Sequence, residues 1–220
     1  MNIERADVVD HGDESLPQPL EATLNLLSAV GAGTPVSQRS LAGRLGVALG
    51  LANALVRRCV KKGYIKISTA PARRYVYYLT PAGFAEKSRL VGEYIESSLS
   101  FFRSARVTFA HLFADAAQAG QRRVLLVGSG ELAEIALLAA EDSGVTLLGV
   151  LDASRNAATF HGLAVFRDLD EAPPFDAVVL ADARDAQGAY ARLAERLAEA
   201  RILVPALLHV TRRSGAGGRA

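Results

Sequence analysis

The sequence predicts an α/β chain in three successive parts: a small helical unit closed by a β-hairpin, one long helix, and a small parallel sheet. Three observations predict it. Apolar residues recur at helical spacing through three short segments between Leu20 and Lys62, then change to strand-like alternation up to Leu79. From Pro81 to about Ala119 only Gly83 and Gly92 interrupt a helical pattern. Beyond Arg122, short apolar runs alternate with helical ones, the pattern of strands joined by crossover helices. Half of the 220 residues are apolar, enough for each part to bury a core.

Residues 1–19 carry Gly12, Pro17 and Pro19 with few apolar residues and are expected to form a flexible arm. The first unit is expected over 20–80. Leu20, Leu24, Leu27 and Val30 share a helical face that ends at Gly31 and Gly33. Ser37 is a candidate N-cap for a helix over 38–45, and Gly46 closes a tight turn. A third helix is expected from about Ala48 to Lys62, with Ala52, Leu55, Val56 and Cys59 inward and Gly63 as its stop. Residues 64–68 and 74–79 read as two strands around a turn at 69–73.

Helix, short turn, helix, then a hairpin is the order of a winged helix-turn-helix. Thr80-Pro81 then starts a new helix, with threonine as cap and proline in the first turn. Phe84, Val91, Ser98, Ala105 and Leu112 repeat every seven residues along 81–119. That stripe requires a covering surface. A second copy of the chain is expected to supply it, making 81–119 a linking and dimerisation helix; the alternative is a helix that divides and packs on its own chain. Strands are then expected at 124–127, 145–151, 177–181 and 202–204, with helices over 131–142 and 185–200 and a short strand near 163–166. This third part is expected over 120–211, with 212–220 as a flexible tail.

The formal charge of +2 is too small to argue for a nucleic-acid partner, but its distribution does. Nine Lys or Arg and no Asp or Glu lie between Gln38 and Arg74, a local positive field suited to phosphates. In a helix-turn-helix the second helix offers base-reading side chains, while the preceding helix and the wing hold the backbone. Gly50, Leu51, Asn53, Ala54, Arg57, Arg58 and Lys61 are expected on its outer side. Asn53 suits adenine and Arg57 suits guanine or a phosphate. Ser37, Gln38 and Arg39 are placed for backbone contacts, and Arg73 and Arg74 for the groove beside the wing. The expected partner is double-stranded DNA; a protein-docking role for the basic face is the alternative.

Four stretches carry a family resemblance: Ser37-Gln-Arg-Ser-Leu-Ala-Gly-Arg-Leu-Gly46, Leu49-Gly-Leu-Ala-Asn53, Lys62-Gly-Tyr64 and Tyr78-Leu-Thr-Pro-Ala-Gly-Phe-Ala-Glu-Lys-Ser88. Over about 20–105 the chain resembles MarR-type winged-helix regulators, particularly those associated with exopolysaccharide loci. It departs at Leu51 and Ala54, where that family more often has polar residues. The resemblance implies a dimeric transcription factor connected with surface-polysaccharide genes.

Gly128-Ser-Gly130 follows an apolar run and precedes a helix, so the chain can turn tightly and point backbone amides at a phosphate. Ala133 stands in the third position of the Gly-x-Gly-x-x-Ala pattern. Asp152, 22 residues beyond Gly130, stands where an acid accepts from ribose hydroxyls. Gly128, Ser129, Gly130, Glu131 and Asp152 are therefore the candidate ligand residues, although Glu131 sets a negative charge beside the phosphate position. The glycine turn, Leu151-Asp152, His161-Gly-Leu-Ala-Val165 and Phe175-Asp-Ala-Val-Val179 are similar to the small Rossmann-like domains that lead sugar acetyltransferases and bind nucleotide sugars. The order of winged helix and Rossmann unit is also similar to the redox-sensing Rex repressors, which bind NADH. This chain lacks their C-terminal swapped helix and inserts the long helix after the wing. The resemblances imply a nucleotide sugar or, as the alternative, NAD(H).

An enzyme is not expected. There is no Gly-x-Ser-x-Gly elbow, no His and Cys pairing, no metal-spaced acid cluster, and beyond residue 120 only Tyr190 and no lysine. The single Cys59 rules out an intramolecular disulfide and fits a reducing compartment. No signal peptide or membrane span is legible, so a cytoplasmic protein is expected, with no membrane partner. The reading is a ligand-responsive DNA-binding regulator; a Rex-like NADH sensor or a non-catalytic dimerisation scaffold are the alternatives.

Overall fold

The computed structural model describes residues 18–32, 38–70, 74–141 and 143–212. They divide into two compact units between Ser98 and Leu99. Among the described residues no helix is long and apolar enough to cross a membrane.

The first unit contains α1 (Gln18–Gly31), α2 (Gln38–Leu45), α3 (Leu49–Lys61), β1 (Ile65–Ala70), β2 (Arg74–Leu79) and the beginning of α4 (Pro81–Gln118). Leu26, Leu27, Val30, Leu41, Leu55, Val56, Cys59, Ile65, Tyr77 and Leu90 make its core. The α1 helix begins at Gln18, so Gln18 and Pro19 belong to it and not to an arm. Proline is tolerated there because a first-turn residue has no intrahelical use for its N–H. The rest of the expected arm, 1–17, lies outside the described residues. Gly46 takes a left-handed φ of 63°, which lets the chain reverse between α2 and α3. The hairpin pairs Ile65 with Leu79 and continues to Ala70 opposite Arg74, two residues beyond the expected first strand.

The start of α4 is fixed to the hairpin by its own sequence. Thr80 Oγ1 donates to the Gly63 carbonyl at 2.6 Å and accepts from the Gly83 N–H at 3.0 Å. A Cβ at position 83 would stand 2.1 Å from the Tyr64 carbonyl oxygen, so only glycine lets the helix sit this close to the strand. The Thr-Pro-Ala-Gly run is thus a cap, a first-turn proline and a contact point within four residues.

The second unit contains the end of α4, then β3 (Arg123–Val127), α5 (Glu131–Ala140), β4 (Thr146–Leu151), β5 (Thr159–Phe160), β6 (Leu163–Phe166), β7 (Ala177–Leu180), α6 (Ala186–Ala194) and β8 (Ile202–Leu203). The sheet runs β5-β6-β4-β3-β7-β8. All neighbours are parallel except β5, which turns back against β6. Alternate residues of the central strands serve two cores. Val124, Leu126 and Val179 pack with Leu132, Ile135 and Ala136 of α5 and with Ala105, Phe109 and Phe113 of α4. Leu125, Val127, Val178 and Leu180 pack with Ala189, Tyr190 and Leu193 of α6. A strand buried on both faces needs a continuous apolar run, which Val124-Leu-Leu-Val127 supplies.

Two expectations are corrected here. The seven-residue stripe of α4 is not one face awaiting a second copy: Phe84 and Val91 are exposed, but Ala105, Phe109, Phe113 and Ala116 are buried in the chain's own second unit. The reason is that β3 and β7 expose a second apolar face, and the end of α4 is among the helices that cover it. The helix expected over 185–200 ends at Ala194. There the Leu193 carbonyl accepts from both Arg196 and Leu197 N–H groups, and Ala198 is extended.

At the amino edge of the sheet, Asp176 accepts from the backbone N–H groups of Arg122 and Arg123 and from the Arg123 guanidinium. That guanidinium, aided by the backbone donors, holds the Asp176 carboxyl down at about 2.

Candidate nucleic-acid interface and ligand cleft

In the first unit, α3 buries Ala52, Leu55, Val56 and Cys59 and leaves Gly50, Leu51, Ala54, Arg57, Arg58 and Lys61 away from the core. Burial pushes the Cys59 thiol up despite the nearby positive charges of Arg58 and Lys62, which marks it as a packing residue rather than a nucleophile. Asn53 departs from the expected outer side. It is half-buried, and its Oδ1 is enclosed without a hydrogen-bond partner among the described residues. A helix turns about 100° per residue, so position 53 lies only about 60° around from Val56, on the flank of the buried stripe. Gly50, Ala54, Arg57 and Lys61 occupy the opposite side. Leu51, on the other flank, lines a hollow with Ala22, Val47 and Leu55. Arg39 is exposed on α2. Gln38 and Arg74 are placed by their backbone as the first residues of α2 and β2. Ser37 and Arg73 lie outside the described residues.

In the second unit the candidate ligand residues converge at the carboxyl end of β3. Gly128 takes a φ of 97°, and a Cβ there would stand 2.8 Å from the Asp182 Cβ and 3.0 Å from its backbone. Glycine is thus required for β3 and β7 to end side by side. Gly130 is different: a Cβ there would meet nothing within 4 Å, so open space lies above the start of α5. Ala133 is fully buried, which permits the close helix-to-strand approach expected of that position. Glu131 is exposed as the first residue of α5.

Asp152 is the buried charged residue among the described residues of the unit, 8% exposed. Its Oδ2 accepts from Ser129 Oγ at 2.5 Å, and its Oδ1 accepts from the Ser154 N–H at 2.9 Å and hydroxyl at 2.7 Å. Burial is the largest single influence on its pKa and raises it. The hydrogen bonds from Ser129 and Ser154, with the Arg184 charge, outweigh burial and hold the carboxyl below its ordinary value. The structure therefore brings Ser129 and Asp152 together, but with the carboxylate engaged by the protein. Beside them a cleft of about 360 Å³ opens at the carboxyl ends of β3, β4 and β7, bordered by Gly128, Asp152, Ser154, Arg167, Asp182 and Arg192. Asp182 borders that cleft, whereas Asp185 caps α6 by accepting from the Gly188 N–H at 3.2 Å.

Sequence reasoning misses Arg155. Its Nη1 lies 3.3 Å from Ser129 Oγ, and its guanidinium stacks 4.9 Å from the Phe160 ring centre. Its distance from the glycine turn in sequence gives no signal; the arginine follows the acid by three residues, a spacing that the dinucleotide pattern leaves unspecified. His161 lies next to that ring with a left-handed φ of 47° and meets Glu134 at 3.1 Å on the surface. His209 also has a left-handed φ and ends a 3-10 turn. Among the described residues no group of three or more His, Cys, Asp or Glu is gathered to hold a metal ion.

No curated protein matches the chain. Among solved structures the chain is similar to MepR, a transcription regulator of the Staphylococcus aureus multidrug efflux pump MepA, at 18% identity over 38% of this chain and 63% of that one, with a TM-score of 0.34. It is also similar to a MarR-family transcriptional regulator from Silicibacter pomeroyi, at 22% identity over 37% of this chain and 56% of that one, with a TM-score of 0.33. A third is the PcaV transcriptional regulator from Streptomyces coelicolor, at 22% identity over 45% and 77%, with a TM-score of 0.36. The chain spans less than two thirds of the length of the first of these structures. Residues 21–66 match a family model described as winged helix-turn-helix DNA-binding, and the observed α1–α3 with the beginning of β1 fill that span, so the first unit contains a winged helix there.

Proposed function

We propose that the chain is a DNA-binding transcriptional regulator of the MarR type, not an enzyme, that it acts as a homodimer, and that its second unit senses a nucleotide or nucleotide sugar. The observation that carries the reading is the outer side of α3, where Arg57, Arg58 and Lys61 stand in a stretch without a single acid. Cations in that position attract phosphate, and Arg57 offers the fork that pairs with guanine. In sequence, Ser37, Gln38 and Arg39 and the pair Arg73 and Arg74 belong to the same acid-free, basic stretch and are proposed to contact the duplex as well.

Dimerisation is supported by α4 between Phe84 and Phe101, where Phe84, Val91, Tyr94, Ile95, Leu99 and Phe101 are all exposed. Apolar residues on a helix at this density need a cover, and a second copy would set two winged helices on a two-fold site. For the ligand, the strand order β6-β4-β3-β7-β8 is that of a Rossmann-like unit read 3-2-1-4-5, with the glycine turn after its first strand. Gly128, Ser129, Gly130, Glu131 and Asp152 are the proposed ligand residues, supported by Gly128 and Asp152 bordering the cleft and by the bond from Ser129 to Asp152. NADH keeps one observation in its favour, the position of Asp152 just past β4. The resemblance over about 20–105 to exopolysaccharide-associated regulators points to surface-polysaccharide genes as targets.

The test is selection of duplexes from a random pool by the full chain, followed by anisotropy titration. A recovered inverted repeat whose binding weakens with salt supports the reading; absence of duplex binding, or binding indifferent to salt, overturns it. Sedimentation of wild type against Ile95→Glu with Leu99→Glu examines the dimer, which the double variant should dissociate. Thermal shifts with UDP-sugars and with NADH separate the two ligand classes, because only a bound ligand raises the melting temperature.

A further inference from the structure

Resting on the DNA-binding reading above, we infer that the acidic segment 1–17 docks on the first unit of its own chain and competes there with the duplex. Val8 and Val9 enter the hollow beside Leu51, and Asp7 and Asp10 meet the cations of α3. The hollow measures about 520 Å³ and lies between α1, the α2–α3 turn and α3. Ala22, Val47 and Leu55 make it apolar, and Arg58 and Glu21 stand exposed at its edge. Leu51 is 51% exposed there, on the helix that a winged helix-turn-helix turns toward base edges, where an apolar side chain reads little sequence. Apolar surface gathered in one concave place marks a site of contact. Among the described residues no carboxylate forms an ion pair with Arg57, Arg58 or Lys61.

The segment supplies what this face lacks. Residues 1–17 hold five Asp or Glu and one Arg, whereas 38–74 hold nine Lys or Arg and no acid. Val8-Val9 is bracketed by Asp7 and Asp10, an apolar pair between two charges that matches an apolar hollow bordered by cations. Glu21 disfavours an acid on the α1 side of the hollow, which assigns Asp7 and Asp10 to the α3 side, beside Arg58. The connection is short. Residue 17 is followed at once by α1, and Glu21 and Ala22 bring that helix to the hollow within about 6 Å of its start. The eight steps from Val9 to Pro17 span up to about 27 Å when extended, ample for a return across it. Tethering keeps the segment at an effective concentration of about millimolar order, so a weak contact suffices to compete.

The experiment uses the full chain and a duplex selected from a random pool, titrated by anisotropy for wild type, Val8→Ser with Val9→Ser, Leu51→Ser, and all three changes together. The double serine variant keeps the charge of the segment. It should bind the duplex about fivefold or more tightly than wild type, because apparent affinity falls with the fraction of chains whose face is free. In the Leu51→Ser background the same two changes should have no effect, since their apolar counterpart is gone. Docking is read without DNA by mild oxidation of Val9→Cys with Leu51→Cys. A cross-link within one chain is expected, absent from either single variant because Cys59 is buried. Equal duplex affinity of wild type and the double serine variant, or a gain that persists with Leu51→Ser, overturns the inference while leaving DNA binding intact. So does the lack of a cross-link, or one formed only between two chains. Failure of every variant to bind duplex overturns the DNA reading and the competition with it, whatever the cross-link shows.

Discussion

Replacing Asp152 by alanine removes three accepted hydrogen bonds from one carboxylate. Hydrogen bonds to a charged group contribute about 1.5–3 kcal/mol each, so their simple sum, about 4.5–9 kcal/mol, is an upper bound. Two of the three donors belong to Ser154, which is exposed and can turn to water, whereas Ser129 is half-buried. The expected loss is therefore about 2–4 kcal/mol, dominated by the Ser129 hydroxyl and the collapse of the turn around it. Asp152→Asn should cost only about 1 kcal/mol, because its carbonyl still accepts from Ser154 and its amide can donate to Ser129 Oγ, which then accepts. Amide hydrogen exchange of β3 and β4 peptides in the full chain measures both losses where they arise. The carboxyl is held below its ordinary value of 3.8, so its charged form stabilises the fold above that value. That contribution is lost as pH falls through the depressed folded value, and the gap between wild type and Asp152→Asn should close only in that acid range. An alanine loss below about 1 kcal/mol, or equal losses for alanine and asparagine, would refute the argument that hydrogen bonds to a charged carboxylate hold the turn.

Gly83→Ala forces a Cβ to within 2.1 Å of the Tyr64 oxygen, so the α4 start must move, and a loss of about 1–3 kcal/mol in the first unit should lower its melting temperature by several degrees in circular dichroism. Arg57→Ala and Lys61→Ala should each flatten the slope of log duplex affinity against log salt by about one, the change expected when one phosphate is no longer neutralised. Asp176, held at about 2, contributes stability above its ordinary value of 3.8 that disappears as pH drops through 2. Acid titration followed by circular dichroism should accordingly show a shallower loss between those values in Asp176→Asn.

Much of the first unit is legible in the sequence because its apolar spacing has few competing readings. Ala52, Leu55, Val56 and Cys59 fall within one narrow sector at 100° per residue, and all four are buried. Asn53 is misplaced by the same method, since a residue on the flank of a stripe is decided by neighbouring helices that spacing does not include. The α4 pattern reads correctly as helix and incorrectly as one face. Periodicity tells which residues seek cover, not which surface provides it, and the buried Phe109 and Phe113 answer to a sheet that comes later in the chain. The end of α6 carries no glycine or proline to announce it; the carbonyl of Leu193 decides it through two competing donors. At the ligand residues the spacing places Ser129 and Asp152 near each other, yet it does not show the hydrogen bond that engages them. Arg155 is silent in the sequence because its stacking partner, Phe160, lies in β5, a two-residue strand too short to show alternation.

The outermost strands β5 and β8 are each two residues long, so the six-stranded sheet tapers at both rims. Unpaired backbone along a sheet margin is the template on which strands from other molecules accrete into fibrils. Here the apolar central strand β3 is flanked on both sides by β4 and β7, and at either rim an incoming strand meets a ladder of only two residues. The second unit can therefore keep an almost wholly aliphatic centre without seeding aggregation, and association between copies is channelled away from the sheet.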